Sequence, residues 1–306
     1  MRRYCIGAIS HRSALMLAYR RGLLAAKVSK SGQHDGAMFS VRLSEHEVQS
    51  FIHKVTLHFG EQGLTVGCIN SPENVTVTGL GPQVDTLIST LEKSSVFVRK
   101  LMVDVAYHST QMEAIVDEYQ LLNKDIKASV LTEEPPVMIS SLTGSQISSK
   151  ELLSGDYWSK NMTSPVKFSE ALSNLCSHRT ADGGSIDTLL EIGPHSSLKG
   201  PIREVLKAEA KGMHVSYNSF LVRNKSAVET TLNAIGLLYY SGSTEIDMAE
   251  VNQWGAKTRH HPMALADLPE YPFDHSRVYW HESRLSKDHR LGKKPRMDLL
   301  GTPVSD

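Results

Sequence analysis

His108 stands in the stretch Val105-Ala106-Tyr107-His108-Ser109. A free imidazole titrates at about 6.5, so such a side chain can take a proton and return it within one reaction near neutral pH. The same ring at a strand end can equally be a hydrogen-bonded structural histidine. Ser109 follows directly, but if the strand continues, neighbouring side chains point to opposite faces and its hydroxyl is carried away from the ring. The nearest spelling of the Gly-x-Ser-x-Gly elbow that exposes a nucleophilic serine is Gly183-Gly184-Ser185-Ile186-Asp187, which lacks the closing glycine and lies in a polar loop. Asn161, ahead of Thr163-Ser164-Pro165, reads as a helix cap as readily as a site residue. His195, after Gly193-Pro194, reads as a turn residue.

The elements that must position these residues change character along the chain. Ser10 is placed to cap a helix whose apolar positions Leu15, Leu17, Ala18, Leu23 and Leu24 alternate with arginines, among them Arg20 and Arg21. The polar stretch Ser29 to Gly36 ends it. A strand from Ala37 to Leu43 then meets Ser44 with Glu47 three residues on, a capping-box signature for a helix to about Val55. Two β-rich runs, Leu64 to Asn70 and Asn74 to Gly79, are joined by Ser71-Pro72-Glu73 as a hairpin, and Pro82 opens a further helix to about Glu92. With a last strand over Val96 to Ala106 the order is β-α-β-β-α-β, the ferredoxin-like split motif.

Past His108 the pattern predicts a helix to about Asn123, a Glu133-Glu134-Pro135-Pro136 break and a strand over Val137 to Ser141. The stretch Tyr157 to Cys176, mostly helical after Pro165, a buried strand over Ile186 to Ile192 and a helix over Pro194 to Lys207 follow. This is alternating α/β material, so residues 37–107 read as a small domain interrupting a larger one made of 1–36 and 108–250. From about Val251, three prolines and the aromatics Tyr271, Phe273, Tyr279 and Trp280 indicate an ordered linker, 251–306, that packs on a neighbouring surface and ends in a ragged basic stretch.

Composition narrows the function classes. In 306 residues, 33 basic side chains balance 33 acidic ones, so no net field draws nucleic acid or anionic lipid. The basic run Lys287 to Arg296 accompanies no nucleic-acid-binding motif. No apolar run approaches the roughly 20 residues of a membrane span. Cys5, Cys68 and Cys176 are odd in number and widely spaced, as reduced cysteines are, and the cytosol is the expected compartment.

Several separated stretches together resemble one family. They are Ala18-Tyr19-Arg20-Arg21-Gly22, Val105-Ala106-Tyr107-His108-Ser109, Tyr157-Trp158-Ser159-Lys160-Asn161, Ser164-Pro165-Val166, Glu191-Ile192-Gly193-Pro194-His195, and Tyr271-Pro272-Phe273 with Tyr279-Trp280. In this order they resemble the C-terminal part of the malonyl-CoA:acyl carrier protein acyltransferase domain of a fungal highly reducing iterative polyketide synthase, followed by its linker and a dehydratase stub. The resemblance implies an α/β fold: a partial, α/β-hydrolase-like large acyltransferase domain interrupted by the small ferredoxin-like βαββαβ domain. It implies malonyl transfer from coenzyme A to the phosphopantetheine thiol of an acyl carrier protein through an acyl-serine, with no bound cofactor and no metal. Other polyketide synthase domains are implied partners.

On this resemblance His108 is the general base and Arg21 grips the free carboxylate of malonyl-CoA, for which a guanidinium offers two parallel donors and a permanent charge. Asn161 helps orient the histidine. Tyr107, the aromatic before it, goes with malonyl over methylmalonyl; one extra methyl is worth only about 1 to 3 kcal/mol, so this is a preference. The family's Gly-x-Ser-x-Gly serine falls upstream of the segment matching Tyr4 to Ile9, and no serine of this sequence replaces it. Two expectations follow: an acyltransferase portion of a synthase, or a truncated, catalytically inactive remnant that at most binds acyl-CoA or carrier protein. In the stub, Pro295 to Gly301, Met297 stands where a dehydratase has its catalytic histidine.

Overall fold

Ser44 and Glu47 exchange hydrogen bonds at the head of a helix, the reciprocal capping expected from their spacing. The computed structural model that shows this describes residues 8–30, 36–61, 63–129, 136–180, 183–209, 215–243, 245–252, 267–277 and 279–291. The chain divides into two units, Met1–Ile246 and Asp247–Asp306.

The first unit opens with α1 (His11–Lys30), whose first turn is capped by the Ser10 hydroxyl accepting from the Ser13 amide at 3.2 Å. There follow β1 (Gly36–Val41), α2 (Glu45–Phe59), β2 (Leu64–Ser71), β3 (Asn74–Leu80), α3 (Gly81–Lys93) and β4 (Val98–Lys100). The strands lie in the order β4-β1-β3-β2, antiparallel throughout. Phe39, Val41, Val48, Ile52, Val77 and Leu87 bury the apolar faces of α2 and α3 against this sheet. Alternation along β1 and β3 supplies its half of that core, and the 3.6-residue period of the helices supplies the other.

The last strand is much shorter than the expected Val96 to Ala106. β4 pairs three residues with β1, Leu101 adds one hydrogen bond to Met38 at 2.9 Å, and Met102 is then fully exposed. The reason is burial. Val105 belongs to a second core, with Leu24, Met112, Tyr119, Leu152 and Met162, which it cannot reach while the chain stays in the ladder.

Two glycines let the departing segment lie close to the sheet. A Cβ on Gly36 would stand 2.4 Å from the Ala106 nitrogen, and one on Gly67 would stand 2.7 Å from the Thr78 methyl and 3.4 Å from the Tyr107 carbonyl. Only hydrogen at those positions allows so near an approach.

Beyond it come a 3-10 turn (Thr110–Ile115) running into α4 (Val116–Leu122), then α5 (Ser149–Leu152), α6 (Gly155–Thr163), β5 (Val166–Lys167) and α7 (Phe168–Ser177). β5 extends the first sheet in parallel beside β2 through Cys68–Val166 and Ile69–Lys167. The strand expected over Val137 to Ser141 is a single bridge, Ile139 to Gln146, because the chain turns back on itself at Gly144. There the amide of Gly144 meets the Ser140 carbonyl at 2.8 Å.

β6 (Thr188–Glu191) pairs in parallel with β7 (Ser216–Ser219). The expected buried strand over Ile186 to Ile192 is therefore shorter and half-buried, and Ile192 is exposed. The helix expected from Pro194 begins later, as α8 (Lys199–Ala208). Pro194 to Leu198 form a turn around the buried Glu191 carboxylate, which accepts from the amides of Ser197 at 3.1 Å and Leu198 at 3.3 Å. α7 and α8 share a third core of Leu172, Cys176, Ile202 and Val205. α9 (Ala227–Tyr240) is capped by Ser226.

The second unit contains α10 (Met248–Asn252) and α11 (Arg284–Leu291), the latter with Arg290 paired to Glu282 through Nε and Nη2 at 3.1 and 2.8 Å. The aromatics expected to pack, Tyr271, Phe273, Tyr279 and Trp280, are exposed in this chain, and Tyr271 rests on Phe273 with ring centroids 4.6 Å apart. Tyr4 to Gly7, Glu133 to Pro135 and the dehydratase-like Pro295 to Gly301 lie outside the described residues.

Candidate functional site

His108 sits where the chain has left the sheet, between the two larger cores. Its backbone is held at φ 61°, a left-handed conformation uncommon for a residue with a side chain. The surroundings hold it there: the His108 amide donates to the Met162 carbonyl at the end of α6 at 3.1 Å. Ser109 is buried, donates its hydroxyl to the Ala106 carbonyl at 2.7 Å and caps the 3-10 turn by accepting from the Gln111 amide at 3.3 Å. Its hydroxyl is thus engaged with backbone. The strand does not continue through it, so the separation expected from strand alternation comes instead from this cap.

The imidazole is oriented by a backbone group. Nδ1 lies 3.0 Å from the Ser164 carbonyl, which can only accept, so Nδ1 carries the proton and Nε2 keeps its lone pair. Pro165 makes that carbonyl available. A residue before proline is pushed out of the helical region, and Ser164 is extended, at φ −89° and ψ 158°, at the end of α6.

Arg21 enters from the middle of α1. Its Nη1 donates to the Asn161 Oδ1 at 3.0 Å, and its guanidinium carbon stands 5.9 Å from the centre of the Tyr107 ring. Tyr107 in turn neighbours His108, with ring centroids 6.5 Å apart. Asn161, expected beside the imidazole, therefore holds Arg21, while Ser164 takes the orienting place. Sequence reasoning missed Ser164 because the interaction uses its carbonyl, which every residue has; the signal was the proline after it.

Burial pushes the His108 imidazole down to about 4, the Arg21 charge acts in the same direction, and the hydrogen bond to Ser164 opposes them. Burial also lowers the Arg21 guanidinium, opposed by Tyr119 and Tyr107. A guanidinium starts so high that it remains charged. The site thus pairs a neutral imidazole with a half-buried cation.

A cavity of about 610 Å³ opens beside the imidazole, walled by Leu64 and Thr65 of β2, by His108 and Gln111, and by Thr163 and Ser164. Both amide atoms of Gln111 are buried and have no partner among the described residues. Arg21, Tyr107 and Asn161 are not among its walls. His195, expected in a turn, is in one and accepts through Nδ1 from the Arg223 amide at 3.1 Å. Among the described residues no group of three or more His, Cys, Asp or Glu is arranged to hold a metal ion, and no helix is long and apolar enough to cross a membrane.

Known proteins share this arrangement of chain. The chain is 38% identical over 322 aligned positions to the highly reducing polyketide synthase 40 of Fusarium mangiferae, and 38% over 306 to the highly reducing polyketide synthase dmxL2 of a Cryptosporiopsis species. These matches cover 99% and 98% of this chain but 13% and 12% of those synthases. The structure superposes on the acyltransferase domain of the second module of the salinomycin polyketide synthase with a TM-score of 0.65, at 22% identity, covering 83% of this chain and 53% of that one. For a loading acyltransferase from the avermectin synthase the TM-score is 0.63, at 24% identity, covering 76% and 66%. The model of the acyl transferase domain matches residues 3–244. The chain, homologous to portions of fungal polyketide synthases and folded as the acyltransferase domains of the salinomycin and avermectin synthases are, belongs to the acyl transferase domain family.

Proposed function

We propose that this chain contributes the base and the carboxylate clamp to malonyl transfer from coenzyme A to the phosphopantetheine thiol of an acyl carrier protein. One observation carries the reading: a neutral imidazole with Nδ1 tied to the Ser164 carbonyl, and, on the adjoining side of Tyr107, a guanidinium that meets no carboxylate among the described residues. His108 Nε2 takes a hydroxyl proton as the acyl group is captured, and the resulting imidazolium returns it to the departing thiolate of coenzyme A. The same nitrogen then serves the incoming carrier thiol in the second half-reaction. Arg21 fixes the far carboxylate of the malonyl group. No serine of these 306 residues stands in a Gly-x-Ser-x-Gly setting, so the acyl-serine is assigned to none of them.

The finer organisation belongs to the same proposal. Residues 37–107 form a ferredoxin-like unit set into a larger acyltransferase body, 1–36 and 108–250, and 251–306 are a linker and a dehydratase stub. The β-α-β-β-α-β order and the strand order β4-β1-β3-β2 support that reading.

The chain, joined behind a Gly-x-Ser-x-Gly-bearing acyltransferase segment that supplies the nucleophile, is incubated with labelled malonyl-CoA and phosphopantetheinylated carrier protein to test the function. Label reaching the carrier in a manner abolished by His108→Ala supports it. Transfer indifferent to His108→Ala overturns the base assignment, and binding of malonyl-CoA no tighter than acetyl-CoA overturns the clamp.

A further inference from the structure

Arg21 is a half-buried cation for which no acidic partner stands among the described residues. A guanidinium has five N–H donors in a planar fork. One of Arg21's is spent on the Asn161 amide oxygen at 3.0 Å, and its carbon stands 5.9 Å from the Tyr107 ring. Both contacts are with uncharged groups. They restrict a long side chain while, among the described residues, its charge stays uncancelled and donors of the fork stay free. An aspartate in the place of Asn161 would hold the guanidinium equally well and neutralise it.

Nor is Asn161 needed at the imidazole, which Ser164 already holds. Asn161 lies in the last turn of α6 and Ser164 directly follows that helix, so one segment fixes both side chains.

We infer that Asn161 is a positioning residue for Arg21: its neutral amide oxygen sets the guanidinium against Tyr107 with its charge unspent, prepared for an incoming carboxylate. This rests on the reading of Arg21 as a carboxylate clamp. Ordering the arginine before the ligand arrives removes the cost of ordering it on binding, and that gain applies only to ligands carrying the second carboxylate.

The test uses the full chain as wild type, Asn161→Ala, Asn161→Asp and Arg21→Ala, each verified as folded by its thermal melt. Calorimetric titration with malonyl-CoA and acetyl-CoA is one arm. Asn161→Ala is expected to weaken malonyl-CoA about tenfold, the scale of one hydrogen bond to a charged group, and to leave acetyl-CoA unchanged. Asn161→Asp is expected to weaken malonyl-CoA further. The other arm, requiring no ligand, is the side-chain nitrogen spectrum of Arg21: restricted rotation about its terminal nitrogens in wild type, retained in Asn161→Asp and lost in Asn161→Ala.

An Arg21 as ordered in Asn161→Ala as in wild type overturns the inference, as does undiminished malonyl-CoA affinity in that variant when Arg21→Ala has lost it. If Arg21→Ala also binds malonyl-CoA like wild type, the clamp reading itself has failed, and the inference, which needs that clamp, falls with it.

Discussion

The backbone carbonyl of Ser164 accepts the Nδ1 proton of His108 at 3.0 Å. The contact follows from Pro165, which holds Ser164 extended where α6 would otherwise continue. An imidazole whose tautomer depends on a proline is sensitive to a substitution that does not touch the ring.

Pro165→Ala permits Ser164 to turn into the helix and withdraw its carbonyl. On the proposed role of His108, malonyl transfer should fall about 10- to 100-fold, since a misplacement of about 1 Å can cost about 100-fold. Nitrogen spectra of the imidazole should show the Nδ1–H tautomer losing its dominance, with the thermal melt little changed.

His108 is held down to about 4 from an ordinary 6.5, so the unfolded chain takes up its proton before the folded one does. The contribution to stability is complete above about pH 6.5, declines as pH falls through the window to about 4, and is constant below. Urea unfolding of wild type and His108→Gln should diverge across that window, wild type losing more stability toward acid. Part of the depression comes from the Arg21 charge. Malonyl-CoA should therefore raise the titration midpoint of His108, followed by its carbon-attached proton signals, and acetyl-CoA should move it less.

Gly36→Ala pushes a methyl to 2.4 Å from the Ala106 nitrogen, where backbone rather than a flexible side chain must yield. Destabilisation of about 1 to 3 kcal/mol is expected by denaturant titration, with lower transfer activity because Tyr107 and His108 follow directly. Gly22, in the interior of α1, has open space around the same position, and Gly22→Ala should stabilise by about 0.5 to 1 kcal/mol. The opposite signs separate a glycine kept for close approach from one in a helix that would accept a side chain.

Tyr107→Ala removes the ring beside both Arg21 and His108. Competition between malonyl- and methylmalonyl-CoA should shift toward the branched substrate by about 1 to 3 kcal/mol, roughly 5- to 150-fold. Total malonyl-CoA affinity should also drop, since the guanidinium loses the ring it faces.

Much of the small sheet was legible in advance because its signals are local. Ser44 with Glu47, the turn after Asn70 and Pro82 each act within a few residues of themselves, and the helices and strands they bound were found where expected. Local patterns failed where distant burial decided. The run from Val96 to Ala106 is rich in strand-forming residues, yet it leaves the sheet after Lys100 because Val105 is claimed by the core around Leu24 and Met112.

The same division runs through the site. The amino-acid sequence by itself determined which side chains are present: an imidazole after an aromatic, an arginine within an amphipathic helix, an asparagine four residues before a proline. Their types follow from chemistry that needs no fold: a guanidinium keeps its charge on burial more firmly than an ammonium, and an imidazole is the side chain whose unperturbed pKa lies near neutrality. Which of them act on one another was decided by tertiary structure. Asn161 and Arg21 are 140 positions apart, and the packing of α6 and α1 in one core, through Leu24 and Met162, puts the amide on the guanidinium and leaves the imidazole to a backbone carbonyl. Hydrogen bonds form over about 3 Å, and nothing in a linear sequence measures distance between residues so far apart along the chain.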